Sequence, residues 1–186
     1  MEEKTLTFRI GQQIIYPNHG VGRIECIEQK QIAGGALSMY QLRLAYNNST
    51  VLVPTANVDE IGLRLPITAG ECEIAFAFLS EDFPPLPADW KIRFKEYSEK
   101  LKRGALFEVA DVYKKLTFLS RQKPLSFREQ RLLEKAHYLV VSELSAVCSQ
   151  PNCQVEQRIN QALDQVCAKH QPATAPAKRA LAATIH

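Results

Sequence analysis

The sequence predicts an α+β protein, a small N-terminal β-barrel followed by an all-helical domain. Two observations carry this: apolar residues alternate with a period of two between residues 8 and 64, and a period near 3.6 takes over after Pro66. A third is punctuation, because short turn-forming clusters interrupt the first region and a run of prolines divides the second.

Ile14–Tyr16, Arg23–Glu28, Met39–Tyr46 and Thr50–Val53 read as strands, rich in β-branched and aromatic residues. Pro17-Asn18-His19-Gly20, Ala33-Gly34-Gly35 and Asn47-Asn48 supply the backbone freedom for tight reversals. The clearest alternation sets Tyr40, Leu42, Leu44 and Tyr46 on an inward face against Met39, Gln41, Arg43 and Ala45. A sheet of about five such short strands gains by curling closed, since closure removes unpaired edges.

Beyond Pro66, Thr68 with Glu71 fits a capping box for a helix carrying Ile74, Phe76, Phe78 and Leu79. Pro84, Pro85 and Pro87 then forbid continuous helix and form a stiff connector. Trp90, Phe94, Tyr97 and Leu101 follow helical spacing, as do Leu106, Val109, Ala110, Tyr113 and Leu116 after Gly104. Ser126 and Glu129 form a second capping box, opening a helix through Leu132, Leu133, Ala136, Leu139, Val140, Leu144 and Val147. Val155, Ile159, Ala162, Leu163 and Val166 predict a last short helix. The expected organisation is a β module over 1–64, a helix and connector over 65–89, a helical domain over 90–148, a helical extension over 149–170 and a disordered tail over 171–186.

With 186 residues, 46% of them hydrophobic, the chain can bury one sizeable core or two small ones. No apolar run approaches the ~18 residues of a membrane span, and Met1–Thr7 is polar. The expectation is a cytoplasmic monomer without a membrane partner, its five cysteines reduced. There is no phosphate-binding glycine loop, and His19, His137, His170 and His186 suggest no nucleophile and base pairing, so neither an enzyme nor a cofactor is expected. Cys148, Cys153, Cys167 and His170 have ligand types that could close a zinc site, but the spacing is not diagnostic and Cys148 and Cys167 read better as apolar helix residues, so no metal is expected.

Charge is divided sharply. Residues 1–89 hold 6 Lys and Arg against 11 Asp and Glu, whereas residues 90–135 hold 13 against 6. A basic segment opened by the chain's single tryptophan has the parts for nucleic-acid contact, since cations neutralise phosphates and an indole can wedge between bases. Trp90 could instead complete the buried stripe of its helix. Its place in a first turn beside Lys91, Arg93 and Lys95 favours the wedge. Lys123, Arg128 and Arg131 are further candidates for phosphate, with Arg128, Arg131 and Lys135 on one helix face.

The run Phe8-Arg9-Ile10-Gly11-Gln12-Gln13-Ile14-Ile15-Tyr16-Pro17-Asn18-His19-Gly20-Val21-Gly22 resembles the opening of the CarD/CdnL family of bacterial RNA polymerase-binding transcription regulators. The likeness continues through Val51-Leu52-Val53-Pro54, Val58 to Arg64, Trp90-Lys91-Ile92-Arg93-Phe94 and Leu125-Ser126-Phe127-Arg128-Glu129. It implies a Tudor/SH3-like barrel that docks on the RNA polymerase β subunit through Leu52, Val53, Pro54, Leu42 and Lys30. It also implies a helical domain that meets promoter DNA in the minor groove at the upstream edge of the bubble, without sequence specificity, with Trp90 as the wedge of an open-complex stabiliser. Ile92 and Leu52 replace arginines found in some members, and the Arg-Gly-Arg-Pro hooks of the long members are absent, so the chain resembles the short, stand-alone kind. The competing expectation is a protein-interaction adaptor with Trp90 in its core and no DNA contact.

Overall fold

The computed structural model describes residues 8–32 and 35–169, so His170 and the expected tail lie outside the described residues. Four strands form one antiparallel meander in sequence order: β1 (Gln13–Tyr16), β2 (Gly20–Ile32), β3 (Gly35–Leu44) and β4 (Thr50–Pro54). β2 is longer than the alternation suggested and carries a bulge between Ile24 and Cys26, where Glu25 accepts hydrogen bonds from Gln41 and Arg43. Bulges bend strands and steepen their twist.

The inward face gathers Ile14, Ile24, Tyr40, Leu42, Val53, Val58 and Leu63 around a small core lidded by Phe8. The Phe8 ring meets Tyr40 edge-on, and the Tyr40 hydroxyl accepts from the Phe8 amide at 3.1 Å. A full fifth strand does not form. Residues after β4 fold instead into a 3₁₀ turn (Thr55–Asn57) and a short helix α1 (Val58–Ile61), leaving Arg64 to close on Ile15 by an isolated bridge. The barrel is thus partly open. Tyr46, expected inward, falls one step past Ala45 in the turn after β3 and is exposed.

Five longer helices follow: α2 (Ala69–Ser80), α3 (Trp90–Arg103), α4 (Leu106–Gln122), α5 (Phe127–Cys148) and α6 (Asn152–Lys169). Both capping boxes form, Thr68 with Glu71 on α2 and Ser126 with Glu129 on α5. Leu79, Leu101, Leu116, Leu144, Ile159 and Leu163 lie in one continuous core, so α2 and α6 are walls of the helical domain rather than a connector and an appendix. α2 packs on α6 because Arg158 lies 3.7 Å from the Phe76 ring centroid and grips Glu73 at 2.8 Å.

The two modules are bolted together. Arg64 donates to both carboxylate oxygens of Glu143 at 2.6 and 2.8 Å and to the Gly104 carbonyl at 2.7 Å, while Glu143 also accepts from the Ile67 amide. Gly20 (φ +83°) lets the β1–β2 turn lie against α5, where a Cβ would stand 2.9 Å from the Tyr138 ring. Gly104 (φ +71°) ends α3 against Pro17 in the same way. Glu143→Ala removes a bidentate, mostly buried ion pair, and about 2 to 3 kcal/mol of stability is expected to go with it in urea unfolding. A loss below about 0.5 kcal/mol would mean that the modules are held by apolar packing alone.

Candidate functional site

Asp89 caps α3, accepting a hydrogen bond from the Lys91 amide at 2.8 Å, and this makes Trp90 the first residue of the helix. Ser126 does the same for α5, so Phe127 is first there. Each helix therefore opens as cap, aromatic, cation: Asp89-Trp90-Lys91 and Ser126-Phe127-Arg128. The two starts face one shallow cavity of about 640 Å³ lined by Trp90, Lys123, Pro124, Phe127 and Arg128. Trp90 is 41% exposed and Phe127 76% exposed, which is far from the enclosure expected of a core stripe. Only Tyr97 and Leu101 of that stripe are fully buried.

Cations and rings interleave around the cavity. The Arg128 guanidinium lies 5.7 Å from the Phe94 centroid, and Arg131 lies 5.2 Å from that of Phe127. Lys91, Lys95, Lys123 and Arg128 are exposed and, among the described residues, form no ion pair. Arg131 has a loose one, 3.9 Å from Glu134. Two helix starts ringed by exposed cations make a surface suited to anions, with aromatic faces beside them.

Arg93 corrects the sequence expectation. It is 3% exposed, donates to Glu129 at 2.6 Å and to the carbonyls of Pro87 and Ala88 at 2.6 and 2.9 Å, and cannot reach phosphate. It lies close to one helical turn after Trp90 on the inner side, where it pins the proline-rich connector and the α5 start to α3. Burial would raise the Glu129 carboxyl, but the hydrogen bonds from Arg93 and Ser126 outweigh it and hold Glu129 below the usual glutamate range. Arg93 is therefore a positioning residue.

Much of the remaining positive charge is also engaged within the protein. Lys114 donates to the Phe78 and Glu81 carbonyls at the end of α2 and stands 4.2 Å from the Phe78 centroid. Lys100 and Lys115 share Asp111, and Arg103 grips Glu108. Burial lowers the Lys114 ammonium from the ordinary lysine value.

On the β module, Leu42 and Val53 belong to the core and are unavailable for docking, because the alternation that exposes Leu52 turns them inward. Leu52 is 37% exposed and Pro54 half-buried on β4, an edge strand paired on one side only, with β3. Lys30 stands opposite Leu37, beyond the last β3–β4 pair, 3.8 Å from Glu28.

The zinc set does not assemble. Cys153 and Cys167 lie fourteen residues apart on the single helix α6, about 21 Å at 1.5 Å per residue. Cys167 is buried in the core, and His170 lies outside the described residues. Among the described residues no group of three or more metal-ligating side chains converges, and no helix is long and apolar enough to cross a membrane.

Neither charge nor spacing singles out Phe127. Its signal is local: an aromatic directly after a helix-capping serine and before an arginine, the pattern of Trp90.

A curled sheet with a free edge on β4 is thus fixed to helices that present aromatics among cations. Residues 8–65 match the family model described as the CarD-like/TRCF RID domain, and residues 75–160 match the CarD C-terminal domain. A Bacillus subtilis (strain 168) protein named "Putative transcription factor YdeB" is 32% identical over 144 residues, covering 75% of this chain and 92% of that one. The solution structure of the 72-residue N-terminal domain of Myxococcus xanthus CarD is 34% identical, covering 33% of this chain and 81% of that domain with a TM-score of 0.28. The chain belongs to the CarD family of RNA polymerase-associated transcription factors.

Proposed function

We propose that this protein docks on the β subunit of RNA polymerase through its β module and stabilises the open promoter complex by placing Trp90 at the upstream edge of the melted bubble. The observation that carries this reading is the half-exposed indole at the first position of α3, facing a cavity it shares with Phe127, Lys123 and Arg128. The free edge of β4 offers backbone groups for strand addition, with Leu52 and Pro54 as flanking apolar contacts. Anchoring raises the local concentration of a weak, sequence-indifferent DNA surface, so a few contacts suffice.

DNA contact then rests on Trp90, Lys91, Lys95, Lys123, Arg128 and Arg131, with Arg93 holding their scaffold. Each phosphate neutralised contributes about −0.9 to the slope of log affinity against log salt. Arg128→Ala is expected to make the slope of promoter-complex stabilisation shallower by about that amount. An unchanged slope removes Arg128 from the DNA surface. The decisive test is the lifetime of polymerase–promoter complexes with Trp90→Ala. If that lifetime is unaltered while polymerase binding persists, Trp90 is not a wedge, and an unchanged salt slope in Arg128→Ala as well leaves an adaptor that does not grip DNA.

A further inference from the structure

Where the β module meets α5, a cavity of about 470 Å³ opens between Asn18, His19, Tyr46, Asn47, Lys135 and Tyr138. We propose that this seam binds a free nucleotide, its phosphate held by Lys135 and His19 and its base laid against Tyr46.

Three observations converge on that chemistry. First, Lys135 is half-buried, and among the described residues no carboxylate lies within ion-pair distance of it. The carboxylate that lines the cavity, Glu134, accepts from Gln130 at 3.2 Å and lies 3.9 Å from Arg131, which lines the cavity beside it. Second, His19 is held beside this lone ammonium by stacking on Tyr16, with ring centroids 4.7 Å apart. Burial lowers Lys135 below the usual lysine range, and burial together with the Lys135 charge lowers His19. A lone ammonium and an imidazole are thus gathered where positive charge is costly, and an anion would relieve both. Third, Tyr46 is 71% exposed and braced edge-on by Tyr138 at 4.9 Å, a ring fixed in place with a free face. The cavity volume lies within the range of small-molecule sites, and the amides of Asn18 and Asn47 can donate to a ribose or base.

The site borders the Trp90 surface at Arg131, which lines this cavity too, but Trp90, Lys123 and Phe127 line the other cavity alone. The full chain, isotopically labelled, is titrated with ADP, with inorganic phosphate and with a short DNA duplex, and the ring resonances of His19 and Tyr46 are followed by NMR. ADP is expected to move both saturably, with phosphate alone moving His19 more weakly. Lys135→Met keeps the apolar stem and is expected to weaken ADP about tenfold or more, the scale of a lost charge-assisted hydrogen bond. Tyr46→Ala, at an exposed ring, is expected to weaken ADP but not phosphate. Absence of any His19 shift with millimolar ADP overturns the proposal, as does an ADP response indifferent to Lys135→Met. A response to duplex alone assigns the cavity to a backbone phosphate of DNA and overturns it equally.

Discussion

Arg93→Met is expected to lower the stability of the helical domain by about 3 to 5 kcal/mol in urea unfolding, the usual cost of leaving one member of a buried ion pair alone. That is a large share of the roughly 5 to 15 kcal/mol that holds a domain folded. Methionine preserves most of the stem, so the loss reports the guanidinium. Glu129 would remain buried with only the Ser126 hydroxyl and amide as donors, while the Pro87 and Ala88 carbonyls belong to exposed residues and can turn to water. The double variant Arg93→Met, Glu129→Gln is expected to recover much of the loss, because no charge is then left inside. A single-variant loss below about 1 kcal/mol would contradict the pin. The pair also sets an acid limb: the Glu129 carboxyl is lowered from an ordinary value of 4.5 on folding, so its stabilisation is complete above that pH and is lost as pH falls through the depressed folded value. Without Arg93 the hydrogen bond and charge that oppose burial are gone, and the decline of stability below about pH 4.5 is expected to flatten in Arg93→Met.

Arg93 also marks where sequence reasoning stops. Periodicity located α2 to α6 and both capping boxes, because buried stripes and caps are local patterns that a chain displays along its length. Val155, Ile159, Ala162, Leu163 and Val166 follow helical spacing and all are buried. Which cations are free is a different kind of fact. Lys91 and Arg93 stand two positions apart and so on nearly opposite faces of α3, and whether Arg93 meets water or Glu129 depends on a helix start 36 residues away. Lys114 was likewise indistinguishable from a solvated lysine until the end of α2 was seen to offer it two carbonyls. Leu42 and Val53 entered the docking set through family resemblance, although the alternation of β3 and β4 already turned both inward. The fifth strand failed for a topological reason, since residues 55–61 take helical conformations and leave only Arg64 to pair with Ile15. The cavity beside Lys135 arises only when a β turn and the middle of α5 are brought together, and no segment of the chain announces it.

Trp90→Ala is expected to shorten the lifetime of open promoter complexes by about one order of magnitude, and by up to two. Aromatic stacking against a base is worth about 1 to 3 kcal/mol by alanine substitution, and about 1.4 kcal/mol is a factor of ten in an equilibrium. Stability should change little, because the indole is 41% exposed at the end of its helix and Arg93, Tyr97 and Leu101 supply the buried contacts of α3. The variant should still bind polymerase, because β4 lies on the other module. Its salt slope should match that of the parent protein, since an indole carries no charge, whereas Arg128→Ala should alter the slope with a smaller effect on lifetime. The same residue supplies a direct readout: it is the single tryptophan, so emission from the free protein should be quenched readily by acrylamide and become shielded once the promoter is melted. Quencher resistance in the free protein would place the ring in an apolar enclosure. An unshielded ring in the complex, with lifetime unchanged by Trp90→Ala, would leave the cations to act alone and would remove the wedge from the mechanism.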